Sequence, residues 1–283
     1  MAPKLATRFW HVAIALVTAA LCVRDSSTQI VPLTDNTQYA QSSPNITLRW
    51  NAVSRALVKK NLVDPLWAAR TYAILSVAQN DAARAVQQLK ADRGEEKLFI
   101  KATVASSSAT ALAHLFPHKV PRISAYLGED LLKLENRHPK IELARAVNIG
   151  KAVALSLIRK RENDGSIRLE TKLPPPGPAV WQSSEQWAPL RPFWGEVQPF
   201  VVKRLEDYDL SPPPSPDSPE FFQALAAVRD VRKAASGYNE DIARKWADGP
   251  GTATPRVIGT ISRANLLRAT DLTNRKAPGY LPT

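Results

Sequence analysis

Four histidines, one cysteine and a scatter of carboxylates are the side chains here that could do chemistry. His114 and His118 stand four apart, a spacing that on one helix face could hold a metal ion. Pro117 lies between them and breaks such a face, so the pair reads as a helix end and a loop. His11 and His138 have no partner at a zinc-ligand spacing. Cys22 is alone, which excludes an intrachain disulfide and any cysteine-based metal site. Asp81, Glu185 and Asp248 invite a reading as acid or base. Capping, surface pairing or a buried hydrogen bond is the ordinary role of such residues. No residue is therefore assigned to a catalytic, cofactor-binding or metal-binding role.

Charge says more than any single residue. Lys and Arg number 38 against 26 Asp and Glu, a net +12. Such a balance suits anionic partners, or else a solvated basic surface. Direct nucleic-acid binding is disfavoured: no helix-turn-helix, RNA-recognition signature or basic heptad is visible.

The elements that would position these residues are helical. Residues 1–23 have the anatomy of a signal peptide, with Lys4 and Arg8 ahead of the apolar run Phe9 to Val23. This implies export to a periplasm or the exterior; the alternative is an uncleaved N-terminal membrane anchor. Residues 24–44 read as a polar linker. Ile46, Trp50, Val53 and Leu57 then recur at helical spacing. Asp64-Pro65 opens a helix expected to run to about Arg93, before Gly94. Its Leu66, Ala69, Ala73, Val77 and Asp81 face is expected to receive a neighbour closely. Further helices are expected before Pro117, after Pro121 and after Pro139. The last carries an apolar stripe of Ile141, Ala144, Ile149, Ala152, Val153 and Leu157. No stretch alternates like a strand.

Residues 164–219 hold twelve of the 23 prolines, with Trp181, Trp187 and Trp194. Proline fixes an extended backbone and tryptophan is costly in water, so the segment reads as a strap laid over helices. Ser218-Pro219 and "NEDIARKWADG" announce two more helices.

The order of these pieces resembles the N-terminal half of bacterial vanadium-dependent haloperoxidase-like proteins, of the type 2 phosphatidic acid phosphatase/haloperoxidase superfamily. The pieces run from "RWNAVSRAL" and "DPLWAARTYAILSVAQNDAARAV" to "YNEDIARKWADGPGTATP", over residues 46 to 255. The most distinctive is W-x-P-L-x-P-x-W-G, Trp187 to Gly195. The resemblance implies an all-α fold, here an incomplete helical bundle with a long Pro/Trp-rich crossing segment. In complete relatives it implies an oxyanion site that binds vanadate for peroxide-driven halide oxidation, or phosphate for acid phosphatase chemistry. That site needs Lys and Arg on the equatorial oxygens, backbone donors, an apical His and a second His as acid or base.

The superfamily motifs K-x6-R-P, P-S-G-H and S-R-x3-H do not occur in the chain. Arg191-Pro192 is the only Arg-Pro, and Ser184 stands where its Lys would be. Ser54-Arg55 and Ser262-Arg263 are followed by no His at the required position. Relatives continue past the G-T-x-T-P segment with Pro-Gly-His-Trp-Asn, where this chain has Arg256-Val257-Ile258-Gly259. The permitted codons C CGG GTC ATT GGA ACG ATA TC, read from that first C, encode Pro-Gly-His-Trp-Asn-Asp-Ile. Residues 256–283 are therefore expected to be an irregular basic tail in a shifted frame; a natural basic tail is the alternative.

The functional expectation is a truncated superfamily member, inactive alone, with no vanadate in this chain and a possible oligomer through an exposed apolar face. The alternative is an exported helical interaction module whose basic surface binds an anionic partner.

Overall fold

The computed structural model describes residues 45–89, 93–138, 142–168, 177, 190–203, 211–234, 236–247 and 249–253. Among them are seven α-helices and no strand. They are α1 (Ile46–Lys60), α2 (Pro65–Gln87), α3 (Arg93–Leu115), α4 (Val120–Arg137), α5 (Leu143–Arg161), α6 (Pro219–Lys233) and α7 (Gly237–Trp246). The chain is all-α. No helix among the described residues is long and apolar enough to cross a membrane. The expected signal segment with Cys22 and His11, the linker, Ile141, Trp181, Ser184, Glu185, Trp187, Asp248 and the basic tail lie outside the described residues.

Contacts divide the chain into two compact units, 1–159 with 250–283, and 160–249. The first holds the apolar core. Its helices start where side chains can satisfy free amides. Asn45 accepts from the amides of Thr47 and Leu48 at 3.0 and 3.3 Å. Asp64 accepts from Trp67 N at 2.9 Å, with Pro65 in the first turn.

Helix α3 is the central element. Ala102 through Ala109 are eight consecutive buried residues, so two full turns have no solvent face. Helices α1, α2 and α4 pack around it. Trp50, Val53 and Leu57 of α1, Leu75 of α2, Leu112 of α3 and Ile123 of α4 share one apolar cluster. Val86, Phe99, Ala102, Leu134 and Ala146 form a second.

Three sequence expectations need correction. Helix α2 ends at Gln87, and the chain is helical again from Arg93, so the expected single helix is two. Gly94 lies in the first turn of α3, where amides have no intrahelical partner and a glycine costs least. Helix α2 also buries the opposite face from the one expected. Ala68, Thr71, Leu75, Ala78, Ala82 and Val86 are buried, while Ala69 and Asp81 are exposed. An alanine-rich helix is small on several faces, and contact with α3 selects one of them. On α5, Ala144 and Ala152 are exposed; the seam runs through Ala146, Gly150 and Ala154 instead.

That seam exists because α5 approaches α3 to backbone contact. A Cβ on Gly150 would stand 2.3 Å from Thr103 O and 2.9 Å from Ser106 Cβ. The absent side chain is what permits the approach.

The turn from α1 to α2 closes in a Schellman arrangement. Val63 N donates to Val58 O at 3.1 Å, and Leu62 N donates to Lys59 O at 3.3 Å. Leu62 takes the left-handed position at φ 51°, where glycine is usual, and is 67% exposed.

In the second unit, Ser218 caps α6 by accepting from Phe221 N at 3.2 Å, with Pro219 in the first turn, as the sequence predicts. No residue of α6 is buried.

Two substitutions test these constraints. Leu62→Gly should relieve left-handed strain of about 1–2 kcal/mol, offset partly by added freedom of the unfolded chain. A net gain near 1 kcal/mol should raise the melting temperature by about 2–4 °C in calorimetry. Gly150→Ala should lose about 1–3 kcal/mol by overpacking, more than the ~1 kcal/mol alanine gains in helix propensity. Urea titration should show the lower midpoint.

Candidate functional site

Four of the polar clusters among the described residues are buried or half-buried. The first lies between α1 and α4. Arg49 is 3% exposed and reaches two carboxylates, Asp130 Oδ1 at 2.7 Å and Glu129 Oε2 at 2.9 Å. Trp50 Nε1 donates to Asp130 Oδ2 at 3.0 Å. The Arg49 guanidinium also lies 5.9 Å from the Tyr126 ring centroid. Burial raises the Asp130 carboxyl above its usual range, and Arg49 opposes that rise. The sequence reading missed this cluster, although a signal was present. Asp130 shares a helical face with Ile123, Leu127 and Leu134, so an acid sits in a core position and requires a buried cation.

The second cluster joins α2, α3 and α5 through small hydroxyls. Ser107 Oγ donates to Ala78 O at 2.9 Å, and Ser106 Oγ donates to Val147 O at 2.7 Å. Gln79 Nε2 donates to Ser108 Oγ at 3.1 Å. These bonds tie the three helices together.

The third is the half-buried pair Arg55 and Tyr72, facing each other across the α1–α2 hairpin. Burial lowers the affinity of Arg55 for its proton and pushes the Tyr72 phenol well above its ordinary value. The Tyr72 hydroxyl is closed off without a hydrogen-bond partner.

The fourth lies in the second unit. Arg161, 6% exposed, pairs with Asp164 at 2.9 Å and donates to Gln198 O at 2.5 Å and Pro199 O at 3.2 Å. Its guanidinium stacks on Phe200 at 4.0 Å. Asp164 also accepts from Ser166 N at 3.0 Å. Gly165 takes φ 86°, which lets the chain turn back beneath Glu196. This cluster fastens the described end of the proline-rich segment to residues 161–166. Its Trp194 is half-buried, 5.7 Å from the Arg191 guanidinium.

The residues singled out in the sequence are not brought together. His114 is in the last turn of α3 and His118 in the short 3-10 turn Pro117–Lys119; both are exposed. His118 Nε2 lies 2.9 Å from Asn61 Oδ1. His138 follows α4 and is exposed, and Asp81 is exposed beside Asn80. Among the described residues, no group of three or more His, Cys, Asp and Glu is placed to hold a metal ion.

A vanadate or phosphate cradle needs cations not already committed, with an imidazole at the apex. Arg49 and Arg161 face carboxylates, Arg70 stacks on Trp67 at 4.9 Å, and the three described histidines are on the surface. Among the described residues, these arginines and histidines do not come together as such a cradle. No known family model, no curated protein and no solved structure matches the chain at a significant level.

The Asp130 shift carries a pH prediction. A carboxyl raised in the folded state contributes stability that is present below its unfolded value near 4 and lost as pH rises through the folded value. Acidification from pH 7 to 4 should therefore favour the native chain relative to Asp130→Asn, which cannot titrate there. Urea unfolding of both proteins at the two pH values should show their stability difference move in the native chain's favour.

Proposed function

We propose that this chain is the N-terminal helical part of a haloperoxidase/type 2 acid phosphatase-like protein, and that its own residues serve as scaffold rather than as catalytic groups. The observation that carries the reading is the order of the sequence pieces from "RWNAVSRAL" to "YNEDIARKWADGPGTATP", above all W-x-P-L-x-P-x-W-G. The all-α character of the chain agrees with it.

The division of labour follows from chemistry. An oxyanion with charge developing on its equatorial oxygens needs fixed cations and a nucleophilic or ligating imidazole. The chain contains none of the three motifs that supply them in the superfamily. Its buried arginines are used to hold helices and segments to one another. On this reading the serine-rich α3 and the Arg49–Asp130 pair set helix spacing, and the reacting groups come from elements outside the matched region.

Calorimetry of the purified chain with and without orthovanadate, and with inorganic phosphate, tests the proposal. No rise in melting temperature beyond that of a matched chloride control is expected, and no bromide oxidation with peroxide or phosphate release from a phosphomonoester. A saturable vanadate-dependent rise, or turnover lost on mutating Arg55 or Arg161, would contradict a scaffold role.

A further inference from the structure

Leu62 is a residue that its own turn does not ask for. It takes the left-handed position at φ 51° and is 67% exposed. A side chain in that backbone region is strained, and glycine would fill the position without the strain. A leucine so exposed recovers little by leaving water. The apolar contact that completes such a helix end is made by the next residue, Val63, which packs against the first apolar cluster. Neither the turn nor the core explains a leucine here, and a strained outlier of this kind points to a use elsewhere.

That use is visible at the other end of the chain. Residues 250–253 belong to the same compact unit as α1 and α2, although they follow α7 in sequence. Gly251 takes φ 90°, and a Cβ on it would stand 3.0 Å from Leu62 Cδ2. The Gly251 backbone therefore rests on the leucine methyl, as closely as only a residue without a side chain allows. Exposure alternates along the stretch: Pro250 and Thr252 are exposed, while Gly251 and Ala253 are half-buried. One edge of the segment is turned toward the protein, and Leu62 meets it at Gly251. A Cβ on Gly249, two residues earlier, would meet nothing within 4 Å.

We infer that Leu62 is a positioning residue: its side chain receives the Gly251 turn and pins residues 250–253 to the α1–α2 turn, which a glycine at 62 could not do. The inference uses only backbone conformation, exposure and contact, and is independent of the family reading. A contact of this size holds a segment locally, so the segment is released at a lower free energy than the core unfolds. Strain and docking are thereby separable. Removing the leucine side chain relaxes the turn and frees the segment at once, two effects of opposite sign.

Nitrogen-15 relaxation of the full chain reads the docking, with Leu62→Gly, Leu62→Met and Gly251→Ala as variants. In the native protein the amides of Gly251, Thr252 and Ala253 should have order parameters of about 0.85, those of rigid backbone. A Leu62 methyl should show a nuclear Overhauser contact to the Gly251 α-protons. Leu62→Gly should drop the three order parameters below about 0.6, while its melting temperature stays at or above the native one. Leu62→Met keeps an apolar side chain and should keep the segment ordered. Gly251→Ala puts a Cβ against the leucine at a strained φ and should release the segment with the α1–α2 turn unchanged. A segment already mobile in the native protein, or one that stays ordered in Leu62→Gly, would overturn the inference. So would a methionine variant as mobile as the glycine one. A Leu62→Gly chain that fails to fold would show that the leucine serves the core, and would overturn it as well.

Discussion

The whole first unit depends on the closeness with which backbones approach α3. A helix buried on every side for two turns has no room for long side chains, and residues 102–109 are alanine, threonine, valine and serine. Their small volume lets α5 come within contact of the Thr103 carbonyl at Gly150. Serine hydroxyls then find acceptors on the carbonyls of neighbouring helices, at Ala78 and Val147. Each hydroxyl contributes modestly, about 1 kcal/mol net, but an unmet one would cost more. The same residues that make close approach possible also make it specific.

Charge is used in the first unit in the same way. Arg49 bridges α1 to two consecutive acids of α4, and Trp50 shares one of them. A buried ion pair adds little stability compared with apolar packing, but breaking one side of it is costly. It therefore fixes which face of α4 meets α1. Among the described residues of the second unit, the buried side chains are Arg161, Asp164 and Ser166. Arg161 and Asp164 organise a local turn, and the apolar residues of α6 and α7 remain on the outside.

Much of this was legible in the sequence, and the failures are informative. Asp64-Pro65 and Ser218-Pro219 marked helix starts because capping is local chemistry, readable within four residues. Trp50, Val53 and Leu57 were legible because only one face of α1 carries large apolar groups. The faces of α2 and α5 were misread because alanine-rich helices offer several small surfaces, and only the partner helix chooses among them. Arg49 and Asp130 are about 80 residues apart, so no local pattern could pair them; Asp130 in a core register was the only hint. The candidate site was less legible still. The reading of His114 and His118 as a helix end and a loop agrees with their placement on separate elements. Glu185 and Asp248 lie outside the described residues.

These observations describe a helical unit whose central element is secured by small residues and whose buried polar groups join neighbouring helices. Native-state hydrogen exchange of the purified chain, read by peptide, tests that account most directly. Amides of residues 102–112 should exchange only through global unfolding, with the same free energy that denaturant titration gives for the whole first unit. Exchange of that segment through a lower-energy local opening, at a rate comparable to exposed helix ends, would show that α3 is not the element on which the others depend.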